Sequence, residues 1–213
     1  MMPCDPEYPG QQPLREAGES NGRADMASPS LYSPISGPLI FAFRENAERV
    51  NAKVTCADTP DELVHLIAEW ISGKGWTEVV CEEEHLLKLF REQNFVLPVS
   101  QKLSASTEVA ITGCESLIAQ LGSVIVSSAQ SGSRKIFIYP PVHIVVAFSS
   151  QLSETLEEGY SKTLMKYTSQ LPSFISVITG PSRTADIEKT LVLGAHGPVE
   201  LHIFILNDSF SSK

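Results

Sequence analysis

Three short segments carry residue types that can do chemistry. In Thr179-Gly180-Pro181-Ser182-Arg183-Thr184-Ala185-Asp186-Ile187-Glu188 a glycine permits close backbone approach, and two hydroxyls and a guanidinium follow it. Ahead of a helix start, this set suits a phosphate or a carboxylate, because free amides and an arginine both favour an anion. It equally suits a capped helix with a surface arginine. In Gly194-Ala195-His196-Gly197-Pro198 a histidine stands on a glycine-flanked turn, fit for acid–base work or anion contact, or simply a turn residue. In Gly113-Cys114-Glu115-Ser116-Leu117-Ile118-Ala119-Gln120-Leu121-Gly122-Ser123, Gly122 and Ser123 can present backbone amides to a ligand or form a helix-to-strand turn. His143 follows two prolines at the head of a strand and faces either the same crevice or the core. His143 and His196 are therefore weak catalytic candidates, while His65, His85 and His202 read as structural.

Other chemistries lack their residues. Cys4, Cys56, Cys81 and Cys114 lie 52, 25 and 33 residues apart, and no C-x-x-C pair occurs. That spacing offers no ligand set for zinc or an iron–sulfur cluster, so no cofactor is expected in this chain. No phosphate-binding P-loop, dinucleotide fingerprint, H-E-x-x-H or G-x-S-x-G sequence is present.

The elements that must position these segments alternate between two periods. Leu39, Phe43, Ala47 and Val50 form a helical stripe, and Lys53–Cys56 reads as a strand. Thr59-Pro60-Asp61-Glu62 is a helix start: Thr59 caps, proline suits the first helical position, and Glu62 reaches back to the cap amide. Leu63, Leu66, Ile67, Trp70 and Ile71 follow on one face. Glu78–Cys81 reads as a buried strand, then come a short helix with Leu86, Leu89 and Phe90 and a strand at Phe95–Leu97. Strand and helix in turn predict a parallel sheet covered on both faces. In the second half, Gly113–Gly122 is expected to be a short helix, and Ser123–Ser128, Ile136–Tyr139 and His143–Ala147 read as closely spaced strands, an antiparallel insertion or sheet edge. Ser153 is expected to cap a long helix reaching Leu171, Phe174–Thr179 to be a strand, Asp186–Leu193 a short helix and Leu201–Leu206 a final buried strand.

Composition limits the function further. The 213 residues hold 42 % hydrophobic and 19 % charged residues, a globular balance. Sixteen basic against 25 acidic residues give −9. That argues against nucleic acid and against an anionic membrane surface as partners. No apolar run reaches the ~18 residues of a membrane helix, and the N-terminus lacks the pattern of a secretory signal, so the chain reads as cytoplasmic. Residues 1–34 carry 6 of the 14 prolines and a local charge of −3. Residues 1–37 are expected to be a disordered or loosely packed head, with Met26 a candidate translation start; 38–207 form one domain and 208–213 a tail.

The segments Ile111–Ser128, Tyr139–Phe148 and above all Leu171–Leu206 resemble the lactate utilization protein C family, the LUD-domain proteins. The resemblance implies a three-layer α/β/α fold with a mostly parallel sheet and a small antiparallel insertion, similar to glucosamine-6-phosphate deaminase, ribose-5-phosphate isomerase and CoA transferases. It implies an accessory, non-redox role in bacterial L-lactate oxidation to pyruvate, beside partner proteins that carry iron–sulfur clusters. Gly180, Pro181, Ser182, Arg183, Thr184, Asp186, Gly194, His196, Gly197 and Pro198 fit the family pattern. The implied ligand is a small carboxylate or phosphate-bearing molecule, held with Gly122 and Ser123 at the carboxyl ends of the sheet strands. One departure stands out: many members read approximately A-E-T-G-T where this chain has Ala119-Gln120-Leu121-Gly122-Ser123. Gln120 cannot ionise, which argues against acyl-glutamate chemistry there. By fold analogy a stand-alone sugar-phosphate or acyl-CoA enzyme, or a ligand sensor, is the alternative; whether the chain turns over a substrate stays open.

Overall fold

Helix α1 (Leu39–Arg49) opens the described part of the chain. The computed structural model describes residues 34–95, 99–130, 133–185, 191–193 and 197–208, with the backbone path alone for 183–185 and 191–193. The first 33 residues of the expected head lie outside these. Strand β1 (Lys53–Ala57) leads into α2 (Pro60–Lys74), whose start is built by local chemistry. Thr59 Oγ1 accepts the Glu62 amide at 3.2 Å, and Glu62 Oε2 accepts the Asp58 amide at 2.9 Å, one residue before the cap. The helix ends at Gly75, whose φ of +73° a side-chain-bearing residue rarely adopts.

Next come β2 (Val79–Val80), α3 (Glu84–Glu92), β3 (Val99–Ser100) and β4 (Val109–Thr112). Then β5 (Ser116–Ile118), β6 (Ser123–Ser127), a 3₁₀ turn at Arg134–Phe137, β7 (Val142–Phe148) and β8 (Leu152–Ser153) follow. Helix α4 (Leu156–Lys166), β9 (Ile175–Ile178), β10 (Arg183–Ala185), β11 (Leu191–Leu193) and β12 (Glu200–Leu206) complete the fold.

Six strands form one sheet in the order β1-β12-β7-β4-β2-β3, and every neighbouring pair is parallel. Its two faces bury separate apolar clusters. Leu63, Ile67 and Ile71 of α2 and Leu86 and Phe90 of α3 cover Ile111, Ile144, Val146 and Phe204. Phe43 and Ala47 of α1, with Leu117, Val124 and Val126 of a second sheet, cover Ala110, Val145, Ala147, Ile203 and Ile205. Consecutive residues of β7 thus go to opposite apolar layers, which is why this strand reads as an unbroken apolar run. The second sheet has the order β8-β5-β6-β9, mixed, with β5–β6 and β6–β9 antiparallel. The result is a three-layer α/β fold with a mostly parallel sheet. Among the described residues no helix is long and apolar enough to cross a membrane.

Four local expectations are corrected. Gly113–Gly122 is not a helix: Ser116–Ile118 is wholly buried and pairs with β6 and with distant β8, so non-local pairing overrides the local apolar spacing. Ile136–Tyr139 is not a strand; Ser133 Oγ accepts the Lys135 amide and winds the chain into the 3₁₀ turn, burying Ile136 and Phe137. Thr155, not Ser153, caps α4 by accepting the Glu158 amide at 3.1 Å, and the helix stops at Lys166. Leu191–Leu193 is no helix end but pairs antiparallel with Arg183–Ala185. Asp186–Thr190, in the same expected helix, and 96–98 of the expected strand Phe95–Leu97 lie outside the described residues.

From β2 the chain moves outward to β3, and from β4 it moves the other way to β7. The carboxyl ends of β2 and β4 therefore flank a topological switch point, the place where open α/β sheets leave a crevice for ligands.

Candidate functional site

A cleft of about 260 Å³ opens at that switch point, lined among others by Glu83, His85, Gln130, Gln151, Lys166 and Tyr167. Glu83 follows β2 and begins α3, and its side chain is fully buried. Oε1 accepts the Gly113 amide at 2.8 Å, bridging the ends of β2 and β4. Oε2 is buried without a hydrogen-bond partner. Burial pushes this carboxyl up to about 7; the Gly113 amide acts against that and the charge of Glu115 adds to it. His85, in the first turn of α3, brings Nε2 to 3.6 Å from Oε2, and burial lowers its pKa. Gly113 leaves the space these groups share. A Cβ there would sit 2.9 Å from Glu83 Oε2, 3.4 Å from Gln130 Nε2 and 3.5 Å from His85 Nε2.

Glu115, 5 % exposed, forms the other wall. Oε1 accepts from Ser127 Oγ at 2.6 Å and Tyr167 Oη at 2.7 Å, and Oε2 from Lys166 Nζ at 3.0 Å. Burial first, and then Glu115, push the Tyr167 phenol up to about 12. Cys114 is buried, and that burial pushes its thiol up, so it is no nucleophile in this state. Gln151 braces the wall, accepting the Phe148 amide and donating to the Cys114 carbonyl. The cleft thus gathers a carboxyl poised near neutrality, a histidine and a neutralised carboxylate–lysine pair, a set suited to holding or moving a proton. Among the described residues no group of three His, Cys, Asp or Glu is placed to hold a metal ion.

A larger cavity of about 410 Å³ lies by edge strand β1, between Thr55, Leu66, Trp70, His202 and Phe204. Trp70, His202 and Phe204 give it an aromatic wall, with Glu69 and Lys74 also lining it. His202 Nε2 bonds Thr55 Oγ1 at 2.8 Å, and burial first, then the Lys53 charge, lower its pKa to about 4.

The residues expected from sequence fall elsewhere. Gly122 has φ +60°, and a Cβ on it would lie 2.1 Å from the Ala47 amide nitrogen, so its backbone packs on α1. Ser123 is fully buried and bonds Thr179 Oγ1 at 2.8 Å. Gly180, φ +70°, packs on the Val50 carbonyl. The Ser182 amide donates to Pro198 O at 2.8 Å, and Val199 and Glu200 donate to Pro141 O. This turn therefore lies at the amino ends of β7 and β12, not at carboxyl ends of the main sheet, because β9 belongs to the second sheet. Arg183 and Thr184 begin a strand, so no helix N-terminus stands at Ser182–Thr184. Their side chains, and Asp186, Gly194 and His196, lie outside the described residues. His143 is fully buried, with Nε2 2.8 Å from Thr112 Oγ1, its ring beside Phe137, and its pKa lowered by burial to about 4; it is a core residue. Conversely His85 and His202, read as structural, each line a cavity. Glu83 is not singled out by the sequence, and Glu115, near Gln120 in the chain, has nothing in the sequence that places it in the crevice. The one local signal is Cys81-Glu82-Glu83-Glu84-His85, acidic residues directly after a buried strand and ahead of a helix.

A family model for the LUD domain matches residues 40–206. Lactate utilization protein C of Halalkalibacterium halodurans is 31% identical over 186 residues, covering 81% of this chain and 81% of that one. Lactate utilization protein C of Bacillus subtilis is 30% identical over 193 residues, covering 89% and 71%. The crystal structure of a DUF162 family protein from Deinococcus radiodurans shares the fold, with TM-score 0.60 at 18% identity over 79% of this chain and 96% of that one.

Proposed function

The chain belongs to the LUD domain family, and from that premise we propose that it serves lactate utilization as a non-redox accessory component of L-lactate oxidation, acting on a small ligand in the Glu83–Glu115 cleft. The names of its relatives support the pathway. The non-redox part rests on cysteine spacing, which offers no cluster ligand set and leaves electron transfer to iron–sulfur partner proteins. The observation that carries the site is the buried, unpartnered Glu83 Oε2 at the switch point of the sheet. A sugar-phosphate or acyl-CoA substrate is less well matched, since the cleft's lysine is already bound to Glu115.

The test is genetic. Deleting the gene is expected to impair growth on L-lactate and leave growth on glucose unchanged, with rescue by the wild-type gene. Unimpaired growth on L-lactate contradicts the reading.

A further inference from the structure

We propose that Glu83, His85 and Gln130 form a carboxylate-recognition point, and that the cleft's ligand is a short 2-hydroxy or 2-oxo carboxylate bound together with one proton held on Glu83. The choice of that ligand class rests on the lactate-utilization reading; the recognition point rests on the geometry of the cleft.

Three polar atoms converge over Gly113: Glu83 Oε2, His85 Nε2 and Gln130 Nε2. The orientation of Gln130 is fixed from behind, because its Oε1 accepts the Ser127 amide at 2.8 Å and turns the amide nitrogen to the cleft. Neutral His85 with its proton on Nε2 is a second donor. Glu83 completes the set only when protonated. Its Oε1 is occupied by the Gly113 amide, and its buried Oε2 has no hydrogen-bond partner, a costly arrangement that a ligand acceptor relieves. Three donors facing one point match a carboxylate.

The surrounding charges permit this. Glu115, on the loop after β4, already holds Ser127, Tyr167 and Lys166, so its charge is met by the α4 lysine and does not oppose an incoming anion. The other titratable groups facing Glu83 are Cys81, Cys114 and Tyr167, whose pKa values burial raises, and His85, whose pKa burial lowers. Cys81, Cys114 and Tyr167 titrate well above the window in which Glu83 changes charge. The cleft of about 260 Å³ is below the roughly 300–1,000 Å³ of drug-sized sites, which favours a small ligand.

Calorimetric titration of the full chain with L-lactate, pyruvate and the neutral isostere lactamide decides it. Both acids are expected to bind and lactamide not to. Affinity for the acids should fall about tenfold per pH unit above 7, with proton uptake visible as a buffer-dependent heat. Glu83→Gln keeps a donor at the same place and is expected to bind both acids with no pH dependence between about pH 7 and about pH 9. Gln130→Glu, which can still accept from Ser127, should abolish binding while circular dichroism stays native. Absence of binding by both acids, equal binding of lactamide, or an unchanged pH dependence in Glu83→Gln overturns the proposal. Failure here with impaired growth of the deletion strain overturns the recognition point and leaves the functional reading standing; binding as described with unimpaired growth does the reverse.

Discussion

Lys166, the last residue of α4, donates to Glu115, on the loop after β4, at 3.0 Å; the lysine side chain is half exposed and the glutamate side chain almost wholly buried. This pair ties the helix of the second sheet to the floor of the cleft. Lys166→Met removes the cation and leaves a buried carboxylate with only Ser127 and Tyr167. The expected loss is about 1–3 kcal/mol in urea unfolding. At this chain length that is roughly 2–4 °C in Tm per kcal/mol. An unchanged midpoint would show that the pair is solvated and structurally idle.

Glu83 makes stability depend on pH in an unusual direction. Its carboxyl titrates at about 7 in the folded protein against an ordinary 4.5. Between these values the unfolded chain has released a proton that the native state still holds, so stability falls as pH rises from about 4.5 to about 7 and then levels. The difference amounts to about 3 kcal/mol by linkage. Glu83→Gln can still accept the Gly113 amide and should flatten that limb, gaining on wild type at pH 8. A parallel profile for the two proteins would contradict the placement of this carboxyl.

Two buried histidines oppose it on the acid side. His143 and His202 are held near 4 by burial against an ordinary 6.5. Their stabilisation is complete above about 6.5 and is lost as pH falls toward about 4, where the unfolded chain takes up protons that the native state refuses. His143→Gln, able to keep a bond to Thr112, is expected to soften acid unfolding in that window, read by intrinsic fluorescence in a Glu83→Gln background. An identical acid limb would mean that His143 is hydrated in solution.

Glycine substitutions should split by location. Gly122→Ala would place Cβ 2.1 Å from the Ala47 amide nitrogen at φ +60°, against backbone that has nowhere to go. It is expected to cost at least about 3 kcal/mol or to prevent folding. Gly73 lies inside α2 with open space around it, so Gly73→Ala should stabilise by roughly 0.5–1 kcal/mol. Thermal melts of the two variants check both signs.

The elements legible in the sequence are those built by near neighbours. Thr59, Pro60 and Glu62 start α2 within four residues, and the β-branched runs of β7 and β12 have one sensible burial. Strand β5 escaped because Leu117 and Ile118 alone fit a helix as well, and of its two partners, β6 and Leu152–Ser153, the second is about 35 residues away. The site was hidden for the same reason. Glu83 and Gly113 stand 30 residues apart and meet only because β2 and β4 become neighbours. The rule that ligands sit at carboxyl ends of parallel strands points to the cleft, but applying it to Thr179–Thr184 required knowing that β9 lies in the other sheet.

The most direct measurement is a crystal structure of the protein soaked with pyruvate at about pH 6, where Glu83 holds its proton. The expected result is the acid's carboxylate over Gly113, within hydrogen-bond distance of Glu83 Oε2, His85 Nε2 and Gln130 Nε2. Pyruvate seated beside the Gly180–Ser182 turn, with the cleft empty, would contradict the account.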